Sequence, residues 1–185
     1  MSIAVLEIAE VRDRLQTLSV ADYQRLINTG LIDTKTELIE GVVIKKITKT
    51  ADHSYFSESM TELLSQLLPQ NSYIRIEKPL TLAASEPEPD LVIVKGNRHD
   101  YRHSNPTSAL LVVEIAKSSI AYDRAKMFTY AKAEVSEYWI VDIMNQTIEV
   151  YQEPHGDQYT KNKIYTRHES LPIFNRAISL ADFFS

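Results

Sequence analysis

The sequence predicts an α/β fold of the α+β sandwich kind, in which a mixed central β-sheet is flanked by helices. Apolar runs typical of buried strands occupy residues 91–94 and 110–113. Further strand-like segments cluster before and after one central helical segment, and turn residues separate them. A chain of 185 residues can bury a core that needs no covalent staples.

The first third of the chain predicts a lead-in, a short helix and a hairpin. Residues 1–16 lack a clear hydrophobic period and are predicted to be a loose lead-in. We expect one domain over residues 17–185. Ser19 is a suitable N-cap for a helix over residues 20–28. Two strand-like segments follow, and Gly41 between them predicts a bend or hairpin.

A longer helix and a strand are predicted next. Six apolar residues repeat at helical spacing behind Asp52 or Ser54 as the N-cap, and Pro69 ends this pattern. These residues are Phe56, Met60, Leu63, Leu64, Leu67 and Leu68. Residues 73–82 then alternate in the way of a strand with one buried face.

The second half of the chain predicts a central helix followed by strands. The helix covers about residues 122–134, and two strands at 137–142 and 147–152 are joined by a turn. The tail alternates and ends in an apolar segment at 180–184. The expected core face of the helix consists of Met127, Phe128, Ala131 and Val135.

Composition limits the kinds of site that are possible. The chain has no cysteine, so a metal would need oxygen or imidazole ligands, which favours hard cations such as Mg²⁺ or Mn²⁺. A net charge of −5 argues against a surface that wraps nucleic acid throughout, although basic groups can concentrate in one cleft. No secretion signal or membrane span is recognisable, so a cytoplasmic location is expected.

Two acidic residues lie at the ends of predicted buried strands. Glu114 directly follows four aliphatic residues, where a carboxylate needs a salt bridge, a metal ion or a raised pKa. Asp90 opens the preceding strand, directly after Pro89. If the two strands pair in antiparallel fashion, both acids meet at one sheet end, where a divalent cation would relieve their repulsion.

The Pro89-Asp90 pair followed by a strand carrying Glu114 resembles the PD-(D/E)xK nuclease superfamily. Residues 118–142, SSIAYDRAKMFTYAKAEVSEYWIVD, are more specific. They resemble a large bacterial family of restriction-endonuclease-like proteins, the Uma-two type. The segment ELIEG at 37–41, the helix carrying His53 and the ending ISLADFF resemble it too. The resemblance covers about residues 17–185 and implies a restriction-endonuclease-like fold.

One position departs from the superfamily pattern. A lysine is expected two residues after Glu114, on the same sheet face, but Ala116 stands there and Lys117 points the other way. The resemblance implies a migrated lysine, Lys126, on the following helix. Asp123, Lys126 and Tyr130 share one side of that helix.

The resemblance implies metal-assisted hydrolysis of phosphodiester bonds in DNA. Asp90, Glu114 and the carbonyl of Ile115 would hold Mg²⁺ or Mn²⁺, and Lys126 would orient or help deprotonate the attacking water. Glu37 is the further acid that the family places in the first segment.

Substrate contacts and assembly also follow from the resemblance. His53, Arg124 and Tyr130 are the candidate substrate-binding residues. A homodimer would let the enzyme cut two strands. For Glu114 alone, a purely structural pair with Arg124 or Lys126 is an alternative.

Two other functions stay open at this point. Ala116 leaves room for a catalytically silent nuclease-fold module that binds nucleic acid or a protein partner. The same carboxylates and metal would also suit a hydrolase acting on a small phosphorylated molecule.

Overall fold

A computed structural model describes residues 4–185, and its central feature is a six-stranded mixed sheet. The strands are Thr36–Ile39 (β1), Val42–Lys45 (β2), Ser72–Ile76 (β3), Leu91–Lys95 (β4), Leu111–Ala116 (β5), Glu137–Asp142 (β6), Thr147–His155 (β7), Gln158–Thr166 (β8), Ser170–Ile173 (β9) and Arg176–Ser179 (β10). The α-helices are Ala9–Arg12 (α1), Val20–Asn28 (α2), Ala51–Ser65 (α3), Ile120–Lys132 (α4) and Leu180–Phe183 (α5). Two 3-10 helices cover Ala4–Glu7 and Arg98–Tyr101.

The large sheet has the strand order β3-β4-β5-β6-β7-β8. Only β5 and β6 pair in parallel, and α4 is the crossover between them. All other neighbours in this sheet are antiparallel. The predicted mixed sheet flanked by helices is therefore confirmed.

Each face of the sheet has its own apolar core. Leu91, Val113 and Trp139 belong to the core that α3 and the C-terminal α5 cover. Val112 and Tyr138 belong to the opposite core, which α4 covers. This alternation along β5 puts Glu114 on the α4 face, because successive side chains of a strand point to opposite sides.

The predicted N-terminal helix and hairpin are confirmed. Ser19 Oγ accepts a hydrogen bond from the backbone of Asp22 and caps α2, whose bounds match the prediction. The turn between β1 and β2 places Glu40 and Gly41 at positive φ, 49° and 79°. Residues 1–3 of the predicted lead-in lie outside the described residues, and residues 4–12 form short helical turns. The domain boundary after residue 16 stays a prediction.

Three local predictions are wrong in detail. The N-cap of α3 is Thr50, whose hydroxyl accepts from the backbone of His53, rather than Asp52 or Ser54. The strand predicted over 73–82 ends at Ile76, because the next residue has a positive φ and Pro79 lacks the N–H that a ladder needs.

The third error concerns the buried face of α4. Phe128 is 41% exposed, whereas Asp123, Lys126 and Thr129 on the same helix are buried. Polar residues therefore occupy part of the face that a purely apolar period would assign to the core.

No helix within residues 4–185 is long and apolar enough to cross a membrane.

Candidate active site

Strand pairing brings Asp90 and Glu114 to the same end of the sheet. In the antiparallel pair of β4 and β5, Leu91 lies opposite Val113, so the residue before β4 lies beside the last residues of β5. Both side chains are buried, and both line one cleft. The expected antiparallel arrangement of the two acids is confirmed.

Asp90 is held from two sides. Its Oδ2 accepts the backbone N–H of Ile115 at 2.8 Å and lies 3.1 Å from His53 Nε2, while its Oδ1 accepts from Lys49 Nζ at 2.8 Å. Burial alone would raise the pKa of Asp90, but hydrogen bonds and charge from His53 and Lys49 outweigh it and lower the pKa. Asp90 is therefore an anion at neutral pH.

Glu114 meets the buried ammonium of Lys126. Its Oε1 accepts from Lys126 Nζ at 2.6 Å and from the Tyr130 hydroxyl at 2.9 Å. Burial is the largest of the effects that raise the pKa of Glu114 to about 8; the Lys126 charge opposes it, and the charges of Asp123 and other nearby acids add to it. Glu114 is therefore harder to ionise than an exposed glutamate.

Lys126 is surrounded by acidic groups. Besides Glu114, its Nζ lies 3.3 Å from Asp123 Oδ1, 3.9 Å from Glu37 Oε1 and 4.9 Å from the centre of the Tyr122 ring. Burial lowers the pKa of this lysine, but the carboxylates outweigh burial and raise it. Lys126 therefore stays an ammonium.

The β1–β2 hairpin delivers Glu37 to the cleft. Glu37 Oε1 accepts from the Tyr122 hydroxyl at 2.9 Å, and its Oε2 accepts the backbone N–H of Glu88 at 3.2 Å. Glu40 lies at the surface, where it pairs with Lys132 at 2.9 Å. The hairpin geometry thus selects Glu37 over Glu40 as the acid that faces the site.

Three partly exposed lysines line the cleft, and each is already paired with an acid. Lys46 contacts Glu88 at 2.9 Å, and Lys117 contacts Asp52. With Lys49 and Lys126, four lysines line a cleft that also contains five carboxyl groups. The lining acids are Glu37, Glu88, Asp90, Glu114 and Asp123.

The structure brings six of the predicted site residues together and separates two others. Glu37, His53, Asp90, Glu114 and Lys126 line the cleft, and so does Ile115, whose backbone N–H holds Asp90.

Arg124 does not line the cleft. It is 53% exposed and forms a salt bridge to Glu149 on β7. Tyr130 is fully buried beneath Glu114, so it supports that carboxyl group and has no surface for substrate. The assignment of these two residues to substrate contact does not fit their positions.

Tyr122 is a site residue that the sequence analysis missed. It contacts Glu37 through its hydroxyl and Lys126 through its ring. A signal was available, because Tyr122, Lys126 and Tyr130 follow at steps of four along α4 and therefore share one side of the helix.

The cleft has donors that suit a divalent cation. Glu37, Asp90 and Glu114 offer carboxyl oxygens, the ligands that Mg²⁺ and Mn²⁺ prefer. Within residues 4–185 no three Asp, Glu or His side chains are grouped closely enough to hold a metal as they stand. Five carboxyl groups line the cleft against four lysines, and a divalent cation would relieve their repulsion. The chemistry of the donor set therefore suits such an ion.

Comparison with known proteins agrees with the fold. A crystal structure described as "a putative nuclease belonging to DUF820", from Anabaena variabilis, has a TM-score of 0.75 and 18% sequence identity. The alignment covers 90% of this chain and 97% of that chain, which confirms the restriction-endonuclease-like fold. No curated protein matches the chain significantly. A family model described as "Putative restriction endonuclease" matches residues 20–181. Because this match spans most of the sequence, the chain belongs to the Uma2 family of restriction-endonuclease-like proteins.

Proposed function

We propose that this protein is a divalent-cation-dependent endonuclease that hydrolyses phosphodiester bonds in DNA. The observation that carries the proposal is the meeting of Asp90 and Glu114 at one sheet end with the buried ammonium of Lys126. Structural ion pairs are seldom built from so many buried acids around one lysine at the wall of an open cleft, because each buried charge costs free energy.

Asp90, Glu114 and Glu37 are the residues that would hold Mg²⁺ or Mn²⁺, and the Ile115 carbonyl remains a candidate ligand. When bound, the cation supplies positive charge to the scissile phosphate and lowers the pKa of a bound water. Restriction-endonuclease-like proteins generally use divalent metal ions, which supports this assignment.

Lys126 has an electrostatic role in this proposal. Its raised pKa keeps it protonated, so it acts as a hydrogen-bond donor and a positive charge rather than as the base that removes a proton from water. The ammonium would stabilise the charge that develops on the phosphate oxygens as water adds and the P–O bond to the leaving group breaks.

A plasmid-nicking assay tests the catalytic role of Lys126. Wild type should nick supercoiled DNA with MgCl₂ or MnCl₂ and should not nick it with EDTA. Lys126→Ala should lower the rate by about 100-fold or more, the cost typical of losing a buried donor to a developing anion. Lys132→Ala removes an exposed lysine from the same helix and should nick like wild type.

Circular dichroism should confirm that both variants are folded. Equal nicking by wild type and Lys126→Ala would reject the catalytic role and point to a contaminating nuclease.

Calorimetric titration with MnCl₂ tests the cation site directly. Asp90→Asn and Glu114→Gln should abolish binding, because each removes a carboxylate at nearly unchanged volume. Glu40→Gln, on the same hairpin as Glu37 but at the surface, should bind like wild type. Unchanged binding in the first two variants would reject the site. Homodimer assembly and a cytoplasmic location stay predictions.

A further inference from the structure

We propose that Lys49 is an exchangeable counter-charge for Asp90. A divalent cation would displace the Lys49 ammonium from Asp90, and the freed ammonium would then contact a substrate phosphate. This inference rests on the proposed function, since it concerns the same cation site. It assigns to Lys49 a positioning role that links cation binding to DNA binding.

The contacts of Asp90 divide into a fixed side and an exchangeable side. Oδ2 is held by the backbone N–H of Ile115, on β5, and by His53 Nε2. The other ring nitrogen, His53 Nδ1, is buried without a hydrogen-bond partner among the described residues, whereas a proton on Nε2 can be donated to Asp90. Oδ1 accepts from Lys49 alone among the described residues.

Of the two lysines that pair with Asp90 and Glu114, Lys49 is the one that can leave. Its side chain is 37% exposed, and its second partner, Glu77 at 2.9 Å, is 50% exposed. The ion pair with Glu77 is weak, because water competes for both charges. In the ion pair with Asp90 only the lysine is accessible to water, since the Asp90 side chain is 7% exposed. The Lys126 side chain is only 4% exposed and lies among several carboxyl groups, so leaving them would cost far more.

The position of Lys49 also suits a phosphate contact. It lies in the irregular segment between β2 and α3, directly before the cap residue Thr50, and lines the cleft together with Lys46. A released ammonium on a four-carbon stem would remain at the cleft mouth, where a polyanion enters.

Competition at Oδ1 makes a prediction about two affinities. The Lys49 ammonium and the cation compete for Asp90. The cation and the DNA assist each other, because a bound cation frees Lys49 to contact the DNA. By linkage, removing the Lys49 charge should strengthen cation binding and weaken the coupling between cation and DNA.

Calorimetric titration of the intact protein with MnCl₂ measures the affinity for the cation. Lys49→Gln should bind Mn²⁺ about two- to fivefold more tightly than wild type, the range expected for loss of a competing half-exposed ion pair. Lys46→Gln is the matched control, because Lys46 lines the same cleft but pairs with Glu88 and not with Asp90. It should change Mn²⁺ affinity less.

The DNA arm measures fluorescence anisotropy of a labelled 12-base-pair duplex, with and without MnCl₂, and a gel checks that the duplex stays intact. Mn²⁺ should tighten DNA binding by wild type more than by Lys49→Gln. An unchanged or weaker Mn²⁺ affinity in Lys49→Gln, or an equal gain in Lys46→Gln, would overturn the exchange. These outcomes leave the proposed cation site intact, whereas a wild type that binds no Mn²⁺ would overturn both proposals.

Discussion

Glu114 is a buried acid whose burial raises its pKa to about 8, against an ordinary value of 4.5. Between these values the unfolded chain has lost the proton that the folded chain keeps. The contribution of Glu114 to stability is therefore fully present below about pH 4.5 and is lost as pH rises through 8.

Glu114→Gln should remove this pH dependence, because an amide does not ionise. We expect the free energy of unfolding of the variant, relative to wild type, to increase by on the order of a few kcal/mol between pH 5 and 8. Lys126 stays protonated over this pH range. The change in its contact with residue 114 therefore shifts the unfolding free energy by an amount that does not vary with pH.

Urea unfolding at several pH values measures this difference, and other titrating groups cancel in it. A difference that does not vary with pH would mean that Glu114 is ionised in the folded protein over the whole range.

The turn that contains Gly41 fixes the β1–β2 hairpin, the element that carries Glu37. Gly41 has a φ of 79°, and a Cβ added there would lie 2.4 Å from Thr17 Cβ and 3.0 Å from the Leu18 carbonyl oxygen. Its own backbone groups bond to Leu18 and Ala84, which fixes the hairpin against neighbouring segments.

Gly41→Ala should therefore destabilise the protein more than Gly156→Ala does. Gly156, in the β7–β8 turn, has a similar φ of 63° but no heavy atom within 4 Å of an added Cβ. The control should cost about 1 kcal/mol for the left-handed backbone alone, and Gly41→Ala should exceed it because of the overlap. Equal losses in urea unfolding would contradict the packing argument.

Elements with local signals could be predicted from the sequence, and elements set by tertiary contacts could not. The cap of α2 and the antiparallel meeting of Asp90 with Glu114 follow from capping chemistry and strand order. The burial of Lys126 follows from acids on β1 and β5, which no local period reveals. Lys49 likewise finds Asp90 across 41 residues of sequence, so its role needed the folded arrangement.

At the scale of the whole molecule, the site joins the two layers that cover the sheet. His53 reaches Asp90 from α3, while Lys126 reaches Glu114 from α4 on the opposite face. The two halves meet at the sheet end because β4 and β5 begin and end there. The position of α3 therefore matters to the site as much as that of α4.

The C-terminal helix α5 contributes to the α3 layer. Phe56 on α3 packs against Phe183 and Phe184, with ring centres 5.6 and 5.8 Å apart. Both C-terminal rings are buried in the same core as Trp139. The end of the chain is thus part of the packing that fixes the helix carrying His53.

Phe183→Ala should accordingly lower the free energy of unfolding by about 3 kcal/mol, because it leaves a cavity between α5 and α3. Phe128→Ala is the matched control: its ring is 41% exposed, whereas Phe183 is 8% exposed, so the control should cost less than about 1 kcal/mol. Urea unfolding compares the two losses. If Phe128→Ala costs as much as Phe183→Ala, the outer face of α4 is covered in solution and the two aromatic positions are equivalent. A larger loss for Phe183→Ala than for Phe128→Ala would instead establish that α5 stabilises the α3 layer. The His53–Asp90 half of the site depends on that layer.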